Sequence, residues 1–223
     1  DYELMIGENC DLAIESTMIY HTPKVKEMIQ DLGIPVIVDC SSYEPHPLGR
    51  TEWIRLYAAL VGKEAEADAF MSQQGALINF EDTGKTVAFF YINTDGSVVI
   101  RKPTDYIAKV ISLAGGHYVY EHLADDDRAS SVSSVTMENF YATAADADLL
   151  IYNAAIVSPI SSVDELIAKD SLFADFKAVQ EGNVWCTGKS YFQATDAVAD
   201  MIRDIHTAMV GGDESTMSFF YRV

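Results

Sequence analysis

Two segments of the sequence place Gly-Lys before a hydroxyl residue, as the end of a phosphate-binding P-loop does. They are Gly84-Lys85-Thr86 and Gly188-Lys189-Ser190. A P-loop also needs a glycine five residues before the glycine of each segment, and this sequence has Asn79 and Asn183 at those positions. The sequence therefore does not support a nucleotide phosphate site of this type.

Other catalytic motifs are absent from the sequence. The sequence contains no GxGxxG after a predicted strand, no GxSxG nucleophile elbow and no HExxH metal motif. His117 and His122 lie five residues apart on either side of Glu121, which is not the one-turn spacing of a helical metal pair. A structural role is favoured for both histidines, and a histidine that faces a ligand is the alternative.

The three cysteines, Cys10, Cys40 and Cys186, are odd in number and widely spaced. This spacing, without a CxxC pair, argues against a disulfide framework and against a structural zinc site. We expect buried thiols that behave as small hydrophobic side chains.

Composition narrows the functional classes. The 223 residues carry a formal net charge of −19, which repels phosphate backbones and excludes nucleic acid as a partner. No run approaches the roughly 18 apolar residues that a membrane helix requires. The chain opens on Asp1-Tyr2-Glu3, which does not resemble a signal peptide, so an exported protein would be represented here without its leader.

The hydrophobic pattern alternates strands with helices and predicts an α/β fold. Residues 10–15 and 35–39 are predicted strands around a helix at 21–32, which makes a parallel βαβ unit. Residues 50–74 are predicted to form one helix of about 35 Å. Further strands are predicted at 86–92, 97–100, 118–120, 149–152 and 184–186, and further helices at 105–113, 136–145, 161–169 and 195–210.

Several segments together resemble one family. The stretch Glu44-Pro45-His46-Pro47-Leu48-Gly49-Arg50, which leads into the predicted long helix, resembles the loop and connecting helix of class III substrate-binding proteins of ABC importers. The segments Asp146-Ala147-Asp148-Leu149-Leu150-Ile151 and Ala178-Val179-Gln180-Glu181-Gly182-Asn183-Val184-Trp185 are similar to other parts of that family. Its members capture iron–siderophore, haem or cobalamin-type ligands.

The resemblance implies a periplasmic-binding-protein-like fold, in which two α/β lobes with parallel sheets are joined by a long helix and the ligand lies between the lobes. Residues 1–50 would be a remnant of the first lobe, 51–78 the connecting helix and 79–223 the second lobe. The first lobe is expected to be incomplete, because family members have further elements before the segment at 2–14. The family is not enzymatic and needs no cofactor.

In this family one acidic residue on each lobe docks on arginines of the membrane permease. By position before an Asp-led strand, Glu3 and Glu138 match these residues. On the residues alone, Glu138 is a first-turn residue favoured by the helix dipole.

Ligand contacts are expected in loops at the carboxyl ends of the strands. Arginine can pair with carboxylates of a ligand, and aromatic side chains can form the rigid walls of its pocket. The structural alternative for Arg50 is a pair with Glu52. The structural alternative for Tyr191 and Phe192 is packing in the core. For haem, His46, His117 or a tyrosine would be candidate axial ligands. The candidates are Tyr43, His46 and Arg50 from the first lobe and Arg101, Tyr191 and Phe192 from the second, with Met18 and Tyr20 as weaker ones.

The function implied by the resemblance is that of an extracytoplasmic component, periplasmic or lipid-anchored on the outer face of the cytoplasmic membrane. It would deliver a metal chelate to an ABC permease. Two alternatives remain open: a flavodoxin-like or chelatase-like α/β enzyme, and a ligand-sensing domain on the cell surface without a transport partner.

Overall fold

The computed structural model describes residues 1–124, 131–188, 191 and 194–223. Contacts between residues divide the chain into two compact units, Asp1–Glu44 and Pro45–Val223. The helical segment that follows Pro45 packs within the second unit, because helix 47–52 contacts both helix 106–113 and helix 198–210 there.

The first unit contains the predicted parallel βαβ arrangement. Its two strands pair in parallel, with Ala13 opposite Val36 and Ser16 opposite Asp39, which confirms the prediction. Its core is small and consists of the buried side chains of Ala13, Ile29 and Ile34. The elements of this unit are α1 (Tyr2–Gly7), β1 (Ala13–Ser16), α2 (Pro23–Asp31) and β2 (Val36–Asp39).

The second unit opens with three short helices, α3 (Pro47–Glu52), α4 (Ile54–Val61) and α5 (Glu64–Ala76). The prediction of one continuous helix over 50–74 is therefore wrong. Gly62 ends α4 in the left-handed region, at φ 67° and ψ 38°, and the Lys63 N–H bonds back to the carbonyl of Ala58 at 2.8 Å. Apolar spacing records which residues are buried and not whether the backbone is continuous, so it did not reveal this break.

Gly62→Ala should lower the free energy of unfolding by about 1 kcal/mol, because an L-residue in the left-handed region is strained. No side chain or backbone atom lies within 4 Å of the added methyl group, so the effect is conformational. Gly75→Ala, within α5, is the matched control and should be neutral or stabilising. Chemical denaturation of the two variants measures both effects, and equal effects would contradict this explanation of the helix break.

The sheet of the second unit is mixed and not wholly parallel. In the described chain its order is β6-β4-β3-β7-β8-β9, with β5 paired to β3. Strand β3 pairs in parallel with β5 and β7, and β7 with β8, whereas β4, β6 and β9 pair antiparallel. The strands are β3 (Lys85–Ile92), β4 (Val98–Arg101), β5 (Gly116–Tyr118), β6 (Val132–Val135), β7 (Leu149–Tyr152), β8 (Val184–Thr187) and β9 (Phe220–Arg222).

The core of this unit is formed by the residues of the central strands and by a group of packed phenylalanine rings. All four residues of β7 and of β8 are buried, as expected for strands covered on both faces. The ring of Phe90 lies 4.6 Å from that of Phe140 and 5.6 Å from that of Phe173. The remaining helices are α6 (Tyr106–Leu113), α7 (Met137–Ala144), α8 (Val163–Ile167), α9 (Lys177–Gln180) and α10 (Val198–Val210).

The three cysteines are free thiols. Cys186 is buried in β8, as predicted. Cys10 and Cys40 are only half-buried, because both lie just outside the ends of the small two-stranded sheet of the first unit.

Candidate functional site

A pocket of about 380 Å³ lies on the second unit where the chain enters α6. One wall comes from the loop before α3 and the other from the segment between β4 and α6 together with the first turns of α6. Of the residues predicted to bind a ligand, His46 lines this pocket. The lining residues are Pro45, His46, Pro103, Thr104, Asp105 and Lys109.

Arg101 is held next to the pocket by an ion pair and by its backbone. Its Nη1 atom lies 3.6 Å from Oδ2 of Asp105, and only 11% and 5% of the two side chains are exposed. The hydroxyl of Tyr118 donates to the Arg101 carbonyl at 2.8 Å and accepts from the Arg101 N–H at 3.0 Å. These bonds fix the end of β4, so the guanidinium faces the start of α6.

Asp105 also bonds to the backbone at the start of α6. Its Oδ1 atom accepts the Ile107 N–H at 2.8 Å and so caps the amino end of α6. Burial raises the pKa of the Asp105 carboxyl, and the charge of Arg101 and the bond from Ile107 only partly offset this shift. The buried carboxylate and the guanidinium of Arg101 therefore largely neutralise each other.

Arg50 and Tyr191 both approach Tyr106, the first residue of α6. The guanidinium carbon of Arg50 lies 3.9 Å from the centre of the Tyr106 ring, a cation–π contact. Tyr191 is fully buried, with its ring 5.8 Å from those of Phe89 and Phe220, which is the core packing that the sequence left open. Its hydroxyl lies near that of Tyr106 but forms no hydrogen bond of good geometry within the described chain.

The bonding of His46 determines which of its nitrogens carries a proton. The Nδ1 atom accepts the Leu48 N–H at 3.2 Å and caps the start of α3, so the proton of a neutral ring is on Nε2. A metal bound at Nε2 would move that proton to Nδ1 and break the cap. His46 is thus better suited to donate a hydrogen bond than to act as an axial ligand of haem.

Tyr43, the remaining described candidate, lies in the first unit. It ends a short 3-10 turn after β2 and is 69% exposed. Partial loss of hydration and the neighbouring Cys40 and Tyr43 raise the pKa of Tyr20, so Cys40 and Tyr43 lie near its hydroxyl. Met18 and Tyr20 are also exposed. Phe192, the last candidate, lies outside the described residues.

Glu3 and Glu138 are exposed residues in the first turn of α1 and of α7. Hydrogen bonds from the backbone N–H of Glu138 and from the hydroxyl of Thr136 lower the pKa of the Glu138 carboxyl. This confirms the prediction from the residues alone that Glu138 is a first-turn acid. A role in docking stays a prediction for both residues.

A second pocket, of about 620 Å³, is bordered by His117 and His122. The Nε2 atom of His117 lies 3.0 Å from Oδ1 of Asp82, and that of His122 lies 3.4 Å from Oε1 of Glu121. Within the described residues, no three His, Cys, Asp or Glu side chains are arranged to hold a metal ion. Both histidines contact carboxylate oxygens, which fits the structural role favoured for them.

Four residues at or beside the pocket were not predicted from the sequence: Asp105, Tyr106, Lys109 and Tyr118. Asp105 could have been recognised as a helix cap, because Asp is a preferred residue just before the first periodic apolar residue of a predicted helix. Lys109 lies one turn further along the same helix face. Tyr118 gave no local signal, because its bond to Arg101 joins residues 17 positions apart.

No protein-family model matches the chain. Two proteins of Methanocaldococcus jannaschii, both described as uncharacterized lipoproteins, are 24% and 26% identical to it over 92% and 89% of this chain. The alignments cover 50% and 53% of those proteins, so the chain spans about half the length of the curated relatives that it matches.

Several solved structures are similar to the chain in fold, although their sequence identity to it is low. A periplasmic binding protein from Veillonella parvula has a TM-score of 0.73 at 14% identity, over 95% of this chain and 74% of that one. A possible iron-binding periplasmic solute-binding protein from Staphylococcus epidermidis has a TM-score of 0.72 at 13% identity, over 94% and 80%. The fold is that of periplasmic solute-binding proteins.

A third structure, described as an ABC-type Fe³⁺-hydroxamate transport system from Saccharomonospora viridis, has a TM-score of 0.61 at 16% identity, over 93% of this chain and 71% of that one. The first two of these structures are of binding proteins and not of enzymes. In the part of the chain that the structure describes, no helix combines the length and apolar content that crossing a membrane requires.

Proposed function

We propose that this protein is the extracytoplasmic solute-binding component of an ABC importer. The observation that carries the proposal is the match to solute-binding proteins over more than nine-tenths of the chain. The relatives described as lipoproteins support a place on the outer face of the cytoplasmic membrane. The permease in that membrane would be the partner.

The proposed solute is an iron–siderophore-type metal chelate, in keeping with the iron-related descriptions of two of the neighbouring structures. The pocket at the start of α6 is the proposed contact region of the second unit, with His46 in its wall. Arg50 and Arg101 would shape that wall from the side, because both contact residues at the start of α6. Tyr191 would support the ring of Tyr106. Tyr43 is a separate proposed ligand contact on the first unit, where its ring is exposed.

Docking on the permease is proposed to use Glu3 and Glu138, one exposed carboxylate on each unit. Paired carboxylates that meet arginines on a partner fix its orientation and raise the rate of association more than they add affinity. The exposed position of both residues in first helical turns is compatible with this role.

A thermal-shift screen tests the proposal. Ferric siderophores, haemin, cobalamin and free metal ions are each added to the purified protein. A solute at about 100 times its dissociation constant should stabilise the fold by roughly 2.7 kcal/mol. One clear stabilising compound is the expected result, and no stabilisation by any member of the panel would contradict the proposed solute class.

A further inference from the structure

The pocket at the start of α6 presents hydrogen-bond donors on a protein that is otherwise strongly acidic. The formal net charge of the chain is −19, yet the pocket is lined by the Lys109 ammonium and by His46. The carboxylate in its wall, Asp105, is already in an ion pair with Arg101. A group that enters the pocket therefore meets the positive charge of Lys109.

His46 adds a neutral donor to the same wall. Its Nδ1 atom is occupied by the Leu48 N–H, so the nitrogen left for a ligand is Nε2, which carries the proton. Two proline rings, of Pro45 and Pro103, complete the rim. Proline has a fixed φ and no backbone N–H, so these two residues make the rim rigid and add no backbone donor to it.

We propose that Lys109 and His46 receive an oxyanion of the solute, a carboxylate in the first instance. Lys109 contributes a charge-assisted hydrogen bond, and the Nε2–H of His46 contributes a second one. Arg101 is not the ligand's cation here, because it does not line the pocket and its charge is matched by Asp105. This inference rests on the proposed function, since it names the chemical group by which the solute is held.

Citrate is the probe, because it offers carboxylates without a metal or a bulky chelate. NMR spectra of the isotope-labelled protein at low ionic strength should show citrate-dependent shifts at His46, Thr104 and Lys109. Lys109→Gln should weaken citrate binding by about fivefold and Lys109→Glu by more, because one charged donor is lost or reversed. Lys63→Gln is the matched control, since Lys63 is an exposed lysine outside the pocket, and it should change the affinity by less than about twofold.

Two substitutions of His46 separate its two nitrogens. In His46→Asn the side-chain oxygen can still accept the Leu48 N–H, but the donor at the Nε2 position is gone, so citrate binding should weaken by about threefold with the fold intact. In His46→Gln the amide reaches the Nε2 position and the cap is lost, so stability should fall while most of the citrate affinity remains. Equal losses of citrate affinity in both variants would contradict the assigned roles.

Other outcomes are also decisive. Citrate shifts that are absent, citrate shifts that appear equally with the trimethyl ester of citrate, or a citrate affinity that is unchanged in Lys109→Gln would overturn the proposal. A silent thermal-shift screen together with citrate binding at Lys109 would contradict the proposed solute class and leave the oxyanion site standing. If a chelate stabilises the protein and Lys109→Gln leaves its affinity unchanged, the proposed solute class stands and the oxyanion site is contradicted.

Discussion

Glu138→Arg is expected to reduce solute uptake by cells at least tenfold while the affinity of the purified protein for its solute stays within about twofold. The substitution places a cation where arginines of the permease are expected, and like charges at an interface disfavour association. Glu138 is exposed and lies outside the pocket, so the solute contacts are unaffected. Radiolabelled uptake and calorimetric titration measure the two quantities.

Asp164→Arg is the matched control for this experiment. Asp164 is also an exposed acid in the first turn of a helix, α8, so it reproduces the lost interaction with the helix dipole. Uptake should survive this change. Normal uptake with Glu138→Arg would contradict permease docking and favour a surface sensor, and a parallel loss of solute affinity would mean that Glu138 acts on the solute.

Asp148→Asn should lower the free energy of unfolding by about 2 kcal/mol at pH 7. Asp148 precedes β7 and is 13% exposed. It accepts hydrogen bonds from Lys177 Nζ at 2.8 Å, the Thr86 N–H at 2.9 Å and the Thr86 hydroxyl at 3.0 Å. These bonds join the starts of β3, β7 and α9. Asparagine is neutral, so it cannot form the same charge-assisted bonds.

The effect of Asp148→Asn should depend on pH in a defined direction. Burial alone would raise the pKa of Asp148, but the bonds from Lys177 and Thr86 outweigh it and hold the pKa well below its usual range. The carboxylate therefore adds stability that is fully present above the unfolded value of about 3.9 and is lost as the pH falls towards the folded value. Urea denaturation from pH 7 to pH 2.5 should show the difference between wild type and variant shrinking. Asp146 is an exposed neighbour, so Asp146→Asn should change the stability less and with less dependence on pH. A difference between wild type and Asp148→Asn that grows in acid would contradict the role given to the Asp148 carboxylate.

Much of the architecture could be predicted from local patterns. The strand at 149–152 was predicted with its observed bounds, because four consecutive apolar residues follow an acidic turn. The parallel pairing of β1 and β2 followed from the helix between them. The edge strands β6 and β9 were not predicted. They are three or four residues long, and β6 has two serines between two valines, a composition that a loop can also have.

The candidate site was predictable only in part. His46 was named from its loop, and the structure places it in the pocket wall. Its tautomer depends on a bond to Leu48 that residue types alone do not specify. Arg101 was predicted to contact the ligand, but the pairing with Asp105 could be seen only once a strand end and a helix start were known to meet. The buried position of Tyr191 likewise depends on rings from β3 and β9 that are distant in sequence.

The proposed function requires the protein to bind a metal chelate without changing it. The most direct measurement is a calorimetric titration with the chelate that gives the largest thermal shift, followed by recovery of the chelate and analysis of its mass. Saturable binding of one chelate per chain, with the chelate recovered unaltered, is the predicted result. Recovery of a chemically converted product, or heats that show no saturation, would contradict the claim.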